Sequence, residues 1–316
     1  MKKAINILFV LGYFFAFTQS ENVNYVIDFI TTKQGLSHNY VSSIISDDLN
    51  IKWIGTENGI TKYNGYDFDY IKPSKEYDGL LNENIEVLFK DRDNNLWIGT
   101  KSGGLSYLDI KNNTIKNFNH LIDLDKEGDL RITALSQDDN GNIWVGTWGK
   151  GVFLIDYKND ILLKEFKRFS PTYSIVNDFQ GNIWFAIDRN LYKYNLHEDK
   201  TESYRFENFI TDILSDSFRK KIWITVGGIN HTKLFNYNYI LNEIEDIETG
   251  VLSEFSKKLF IDKDHHIWIG TWGNGIYKSN LELTKFNKIE LLASTSEKLS
   301  ANYNTILKHK SMHKMW

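Results

Sequence analysis

One aromatic residue comes back at a nearly fixed interval along this chain. Trp53, Trp97, Trp144, Trp184, Trp223, Trp268 and Trp316 are separated by 44, 47, 40, 39, 45 and 48 residues, and each of the first six sits in a related phrase. The phrases are "IKWIGTENGI", "NLWIGTKSGG", "NIWVGTWGKG", "NIWFAIDRN", "KIWITVGG" and "IWIGTWGNG". A period near 44 residues belongs to propeller blades and helical arrays, so the repeat restricts the fold before any local pattern does. The two remaining tryptophans, Trp148 and Trp272, directly follow Gly-Thr in two of the phrases.

Aligned on the anchor tryptophans, each unit holds four short runs. The first is "VSSIIS", "IEVLFK", "ITALSQ", "YSIVND", "ITDILS" or "SKKLFI", and it ends at or beside an acid: Asp47, Asp91, Asp138, Asp178, Asp216 or Asp262. A polar turn leads into the tryptophan run, and two further runs follow, such as "ITKY" and "DFDYIK". Runs of four to seven residues, rich in Val, Ile, Tyr and Phe and bounded by Asn, Asp and Gly, predict strands joined by tight turns. None reaches the ~11 residues of an average helix, which disfavours helical arrays. The expectation is all-β: a β-propeller of four-stranded antiparallel blades, with six complete repeats. In the first unit the strands are expected near 41–46, 51–56, 60–63 and 67–72.

The phrase then acquires a physical role. A tryptophan on the second strand supplies a large apolar surface between neighbouring sheets. Gly55, Gly99, Gly146 and Gly270, two residues later, leave room for close backbone approach. Gly59, Gly103, Gly149, Gly228 and Gly273 are expected to take positive φ in the following hairpin.

The first twenty residues, "MKKAINILFVLGYFFAFTQS", read as a secretory signal peptide: Lys2 and Lys3, an apolar run from Ile5 to Phe17, then small residues before Glu21. An uncleaved anchor is the alternative. Residues 21–316 are then one propeller domain, and the localisation expected is periplasmic. Its formal charge falls from -4 to -6 once the two lysines leave, a poor match for nucleic acid. With no cysteine there is no disulfide framework and no thiol chemistry.

"GLSHNYVSSIISDDLNIKWIGTENGITKYNGYDFDYI" (35–71) and "GLLNENIEVLFKDRDNNLWIGTKSGGLSYLD" (79–109) resemble the two-component regulator propeller repeat. Units four and five depart from it, with "FAID" and "ITVGG" in place of the Ile-Gly-Thr core. The resemblance implies the periplasmic sensor region of Bacteroidetes hybrid two-component histidine kinases. It also implies a second propeller, a β-sandwich, a membrane helix and kinase modules, none of which this sequence contains, and a homodimer for the full-length protein.

The sequence holds no nucleophile elbow, phosphate loop or persuasive nucleophile–base pair, so no catalytic residue, metal ligand or cofactor is assigned. The turns "DRDNN" (91–95) and "DDNGN" (138–142) resemble calcium-loop spacing, yet Asp, Asn and Gly are also what hairpin turns require. His309 with His313, and His265 with His266, lie in turn-like contexts without the Glu of a zinc-protease helix. The better candidates vary where the repeat is otherwise constant, just after the second strand: Lys101, Trp148, Lys150, Arg189, Trp272 and Asn274. Aromatics beside Lys and Asn suit an oligosaccharide or another polar ligand, while further blade packing by Trp148 and Trp272 is the competing explanation.

Two functions follow as expectations: the ligand-binding part of a two-component sensor, or a secreted propeller enzyme or interaction module. "LSANYNTILKHKSMHKMW" (299–316), ending on the anchor Trp316, reads as the start of a seventh unit, and "YVIDFI" (25–30) as a fourth strand. An incomplete seven-bladed ring with unpaired strand edges is therefore expected.

Overall fold

The computed structural model describes residues 29–73, 79–122, 129–228, 231–252, 255–272, 275–280 and 286–289. They form a propeller ring of six four-stranded antiparallel blades. Blade 1 consists of β1 (Val41–Ser46), β2 (Lys52–Thr56), β3 (Gly59–Tyr63) and β4 (Phe68–Ile71). Blade 2 follows with β5 (Ile85–Lys90), β6 (Leu96–Thr100), β7 (Leu105–Asp109) and β8 (Thr114–Asn117). After α1 (Asn119–Ile122), a single helical turn that buries Leu121 and Ile122, comes blade 3: β9 (Ile132–Gln137), β10 (Ile143–Thr147), β11 (Val152–Asp156) and β12 (Ile161–Phe166). Blade 4 is β13 (Thr172–Asn177), β14 (Asn182–Ile187), β15 (Asn190–Asn195) and β16 (Lys200–Arg205). Blade 5 has the longest strands, β17 (Phe209–Asp216), β18 (Lys221–Gly228), β19 (His231–Asn238) and β20 (Glu243–Leu252). Blade 6 comprises β21 (Ser256–Ile261), β22 (Ile267–Thr271), β23 (Ile276–Ser279) and β24 (Phe286–Ile289). The four runs read from the sequence coincide with these strands to within a few residues.

The first strands of successive blades are neighbours, so β1, β5, β9, β13, β17 and β21 form the inner wall and the fourth strands lie outside. The residues read as a seventh unit, Trp316 among them, fall outside the described residues, as do 25–28 of the expected N-terminal strand. Among the described residues no helix is long and apolar enough to cross a membrane.

The anchor tryptophans seal blade to blade. Trp97 is fully buried against Leu135, Ile143 and Val145 of blade 3, and Trp144 against Ile175, Ile183 and Phe185 of blade 4. Trp53, Trp184 and Trp223 do the same for their next blades, while Trp268 lies with Ile276, Phe260 and Ile289 of its own blade. Each indole is also tethered. Trp53, Trp97, Trp144, Trp184, Trp223 and Trp268 donate Nε1–H to Oδ2 of Asp47, Asp91, Asp138, Asp178, Asp216 and Asp262. The other oxygen of Asp47, Asp91, Asp138, Asp178 and Asp262 accepts turn N–H groups two and four residues on, as Asp138 does from Asn140 and Asn142. A buried carboxylate is tolerated because it accepts this many donors. The recurring acid belongs to the architecture, because both of its oxygens hold the turn and the indole in place.

The glycines divide by task. A Cβ on Gly55, Gly99 or Gly146 would lie 2.7 Å from Cγ2 of Ile85, Ile132 or Thr172, each on the next blade's first strand. Their absence sets how closely neighbouring blades approach. The hairpin glycines correct one expectation. Gly59 and Gly149 have positive φ, but Gly103 does not, and Gly228 ends β18 paired with His231; Gly273 is outside the described residues. Positive φ falls instead on Gly104, Gly151 and Gly275. The reason is the preceding threonine: Thr100, Thr147 and Thr271 donate their hydroxyls to the carbonyls of these glycines and close the loop on the second glycine.

Candidate functional site

Every inner strand carries the same irregularity at the same register. Along β1, β5, β9, β13, β17 and β21 the ladder to the second strand skips one residue: Ser42, Glu86, Thr133, Tyr173, Thr211 and Lys257. A bulge bends its strand and re-aims the extra side chain. Here all six line one cavity of about 420 Å³ where the inner strands begin. The repeated fold thus delivers one side chain per blade to the channel mouth, and no two adjacent blades deliver the same residue.

A second tier stands two residues before the bulge residues, at or just ahead of the strand starts. Tyr40, Arg131, Phe209 and Phe255 from this tier also line the cavity, joined by Trp148, Gly227 and Lys258. The ends of the second strands are held beside it: Trp148 N–H donates to Arg131 O at 3.0 Å, and Trp272 N–H to Phe255 O at 2.9 Å. Five aromatic faces therefore surround the opening, among non-aromatic polar groups from five blades.

The charges are ordered. Arg131 Nη2 donates to Glu86 Oε1 at 2.7 Å, and its guanidinium lies 4.4 Å from the centre of the Trp148 ring. Trp148 meets Tyr173 edge-on at 6.0 Å. Lys258 Nζ is 3.2 Å from Oδ1 of the buried Asp212, whose Oδ2 accepts the Leu259 N–H across the boundary of blades 5 and 6. Lys257 makes no ion pair among the described residues; its Nζ lies 4.9 Å from the Trp272 ring centre and 5.8 Å from that of Phe255. Burial holds the Lys257 ammonium below the usual lysine range, opposed by Glu86 and reinforced by Lys258 and Arg131. Burial, with Asp188 nearby, raises the Tyr173 phenol, so it stays a neutral donor and acceptor.

The described residues singled out from the sequence do not all belong to the site. Trp148 lines the cavity and is 47% exposed, so it is not a further blade seal. Trp272 is 55% exposed on the rim, beside Lys257 and Phe255. Lys101 is held by Glu57 at 2.6 Å, a hydrogen bond that pulls the Glu57 carboxyl below its usual range, and lies over Tyr40. Arg189 donates to Glu207 O and covers Phe209, and Lys150 sits in the Thr147–Gly151 loop. None of these last three lines the cavity, and Asn274 is outside the described residues. Sequence reading missed the bulge residues. Their signal is a column of unlike residues (Ser, Glu, Thr, Tyr, Thr, Lys) two places before an unbroken aliphatic column: Ile44, Leu88, Leu135, Ile175, Ile213 and Leu259.

The opposite end of the channel holds a shallow cavity of about 550 Å³, lined in part by Lys90, Asp91, Arg92 and Gln137. Its charges are spent on neighbouring turns: Lys90 pairs with Asp48, Arg92 with Asp139, and Asp91 with the Trp97 indole. Among the described residues Asp262, Asp264 and His266 approach one another closely enough for a metal. Asp262 is committed to Trp268 and its turn, as in the other blades.

Residues 79–102 and 126–149, covering the first two strands of blades 2 and 3, match the family described as two component regulator propeller. No curated protein is similar enough to this chain in sequence to be matched. Among solved structures, the extracellular domain of a hybrid two component system from B. thetaiotaomicron superposes with a TM-score of 0.77 at 20% identity, over 92% of this chain and 40% of that one. The extracellular domain of a second such system from the same organism gives 0.73 at 17% identity, over 90% and 40%. The WD40 domain of Neurospora crassa Pan2 gives 0.54 at 14% identity, over 79% and 80%. The chain spans about two fifths of the length of the two B. thetaiotaomicron domains.

Proposed function

We propose that this chain is the extracytoplasmic ligand-sensing propeller of a two-component signalling protein, and that it binds an oligosaccharide or similar polar ligand at the bulge-lined mouth. The observation that carries the reading is the convergence of one distinct side chain from each of six blades on an opening walled by Tyr40, Trp148, Tyr173, Phe209 and Phe255. Aromatic faces stack on sugar rings, and fixed hydroxyl, carboxylate and ammonium groups between them read hydroxyl patterns. Support for the signalling context comes from the regulator-propeller matches in blades 2 and 3 and from the two hybrid-system domains sharing the fold.

Binding without turnover is part of the proposal. Glycosidases of the common type need two carboxylic groups facing the bond. Among the described side chains lining the mouth there is one carboxylate, Glu86, and it is held by Arg131. Calorimetric titration of the purified chain with an oligosaccharide panel tests both parts. Binding that weakens about tenfold or more in Trp148→Ala and Tyr173→Ala is expected, with the glycan recovered intact. Binding indifferent to both substitutions, or cleavage abolished by replacing one carboxylate, would refute it.

A further inference from the structure

We infer that the ligand of the mouth carries an anionic group, a carboxylate or sulfate, which is received by Lys257. This deepens the proposed function and rests on it. The argument begins with the charge inventory of the lining. Its ionised side chains are Glu86, Arg131, Lys257 and Lys258. Arg131 is paired with Glu86 at 2.7 Å and Lys258 with Asp212 at 3.2 Å. Among the described residues one positive charge is left over, on Lys257. It stands on the bulge tier, with Trp272 and Phe255 on one side and Arg131 and Glu86 within electrostatic reach.

Such a placement costs the folded chain something. An ammonium taken partly out of water beside two other cations is held at a penalty unless a partner arrives. The aromatic rings offset part of it by cation–π attraction, but they leave the ammonium's hydrogen-bond donors unmatched. An anion seated against Lys257 would meet those donors and lie within the electrostatic reach of Arg131, while the sugar ring that bears it covers Trp148 or Phe255. A neutral sugar would satisfy the hydrogen bonds but leave the excess charge.

The test uses three oligosaccharides of equal length on the purified chain: an oligogalacturonate, a sulfated galactan fragment and the neutral galactan. The charged probes are expected to bind at least about tenfold more tightly than the neutral one, the scale of a charge-assisted hydrogen bond. Lys257→Gln should abolish that preference, and Lys257→Arg should retain it. The carboxylate and sulfate arms show which anion the site accepts. Equal affinity for neutral and charged probes, with Trp148 still required, overturns the anionic ligand and leaves the sugar-binding mouth standing. Failure of all three to bind overturns both. Retention of the preference in Lys257→Gln, with the fold intact by circular dichroism, places the anion elsewhere and also overturns the inference.

Discussion

Trp144 donates its indole N–H to Oδ2 of Asp138 at 3.2 Å, while Oδ1 of the same carboxylate accepts the turn N–H groups of Asn140 and Asn142. One side chain thus fixes both the turn between the first two strands and the orientation of the aromatic that seals the next blade. Asp138→Ala would leave a buried indole donor and two turn donors unmet, at about 1–3 kcal/mol for each that stays buried. The expected loss is about 3 kcal/mol or more by urea unfolding. Asp139→Ala, one residue away, removes an exposed pair with Arg92 and should cost less than about 1 kcal/mol. Similar midpoints for the two variants would show that the tether contributes nothing particular.

Trp144 and Trp148 are four residues apart and differ in burial, the first enclosed and the second about half exposed. Trp144→Ala should destabilise by ~3–5 kcal/mol, as expected for emptying a fully buried aromatic site. Trp97→Ala should behave alike. Trp148→Ala and Trp272→Ala, about half exposed, should cost under about 1 kcal/mol and act on binding instead. Equal thermal shifts in all four would contradict the division.

That division also shows what the sequence exposes to reading. The period of Trp53, Trp97 and Trp144, with alternating apolar runs between turn residues, is enough for the six complete blades and their strand order, because each signal is local and repeated six times. The mouth is different. Ser42, Glu86, Thr133, Tyr173, Thr211 and Lys257 meet only because a bulge at one register re-aims them and the six inner strands line one channel. No pairwise spacing encodes that convergence. Trp148 was visible as an extra aromatic in the phrase, whereas Lys101 and Arg189 looked equivalent to it until their partners, Glu57 and Glu207 O, were seen. Asp138 was legible as a turn acid but not as the acceptor for Trp144, since the turn brings the two together.

The loop after the Gly-Thr pair offers a test of backbone geometry. Gly149 and Gly151 both have positive φ, near 96° and 98°. A Cβ on Gly149 meets nothing within 4 Å, whereas one on Gly151 would lie 2.1 Å from Phe166 O. Gly149→Ala pays only the left-handed penalty, about 1 kcal/mol. Gly151→Ala must also push the end of β12 away from β11, so a loss at least about twice as large is expected in the melting free energy. Equal losses would show that the β11–β12 edge yields without cost.

Lys257 should oppose stability and serve binding, a combination that a structural lysine would not show. Burial is the largest cause that lowers its pKa, with Lys258 and Arg131 adding to it and Glu86 opposing. The sign follows: the folded state holds the proton less tightly than the unfolded chain, whose lysine titrates near 10.4. Below the folded pKa the full penalty for the charged form is present. It fades as pH rises from the folded value towards the unfolded one, where the side chain is neutral in both states. Lys257→Met should therefore melt at or above the parent temperature at pH 7, with the gap narrowing as pH rises towards the unfolded pKa. The same variant should bind the anionic oligosaccharide at least about tenfold more weakly at pH 7. In the parent, affinity for that probe should fall at alkaline pH, because an anion binds the protonated ammonium and raises its pKa. The parent and Lys257→Met should thus converge in both stability and affinity as pH increases. A lower melting temperature for Lys257→Met at pH 7 would mean that Glu86 and the flanking rings outweigh desolvation, and that Lys257 holds the mouth together instead of waiting for a partner.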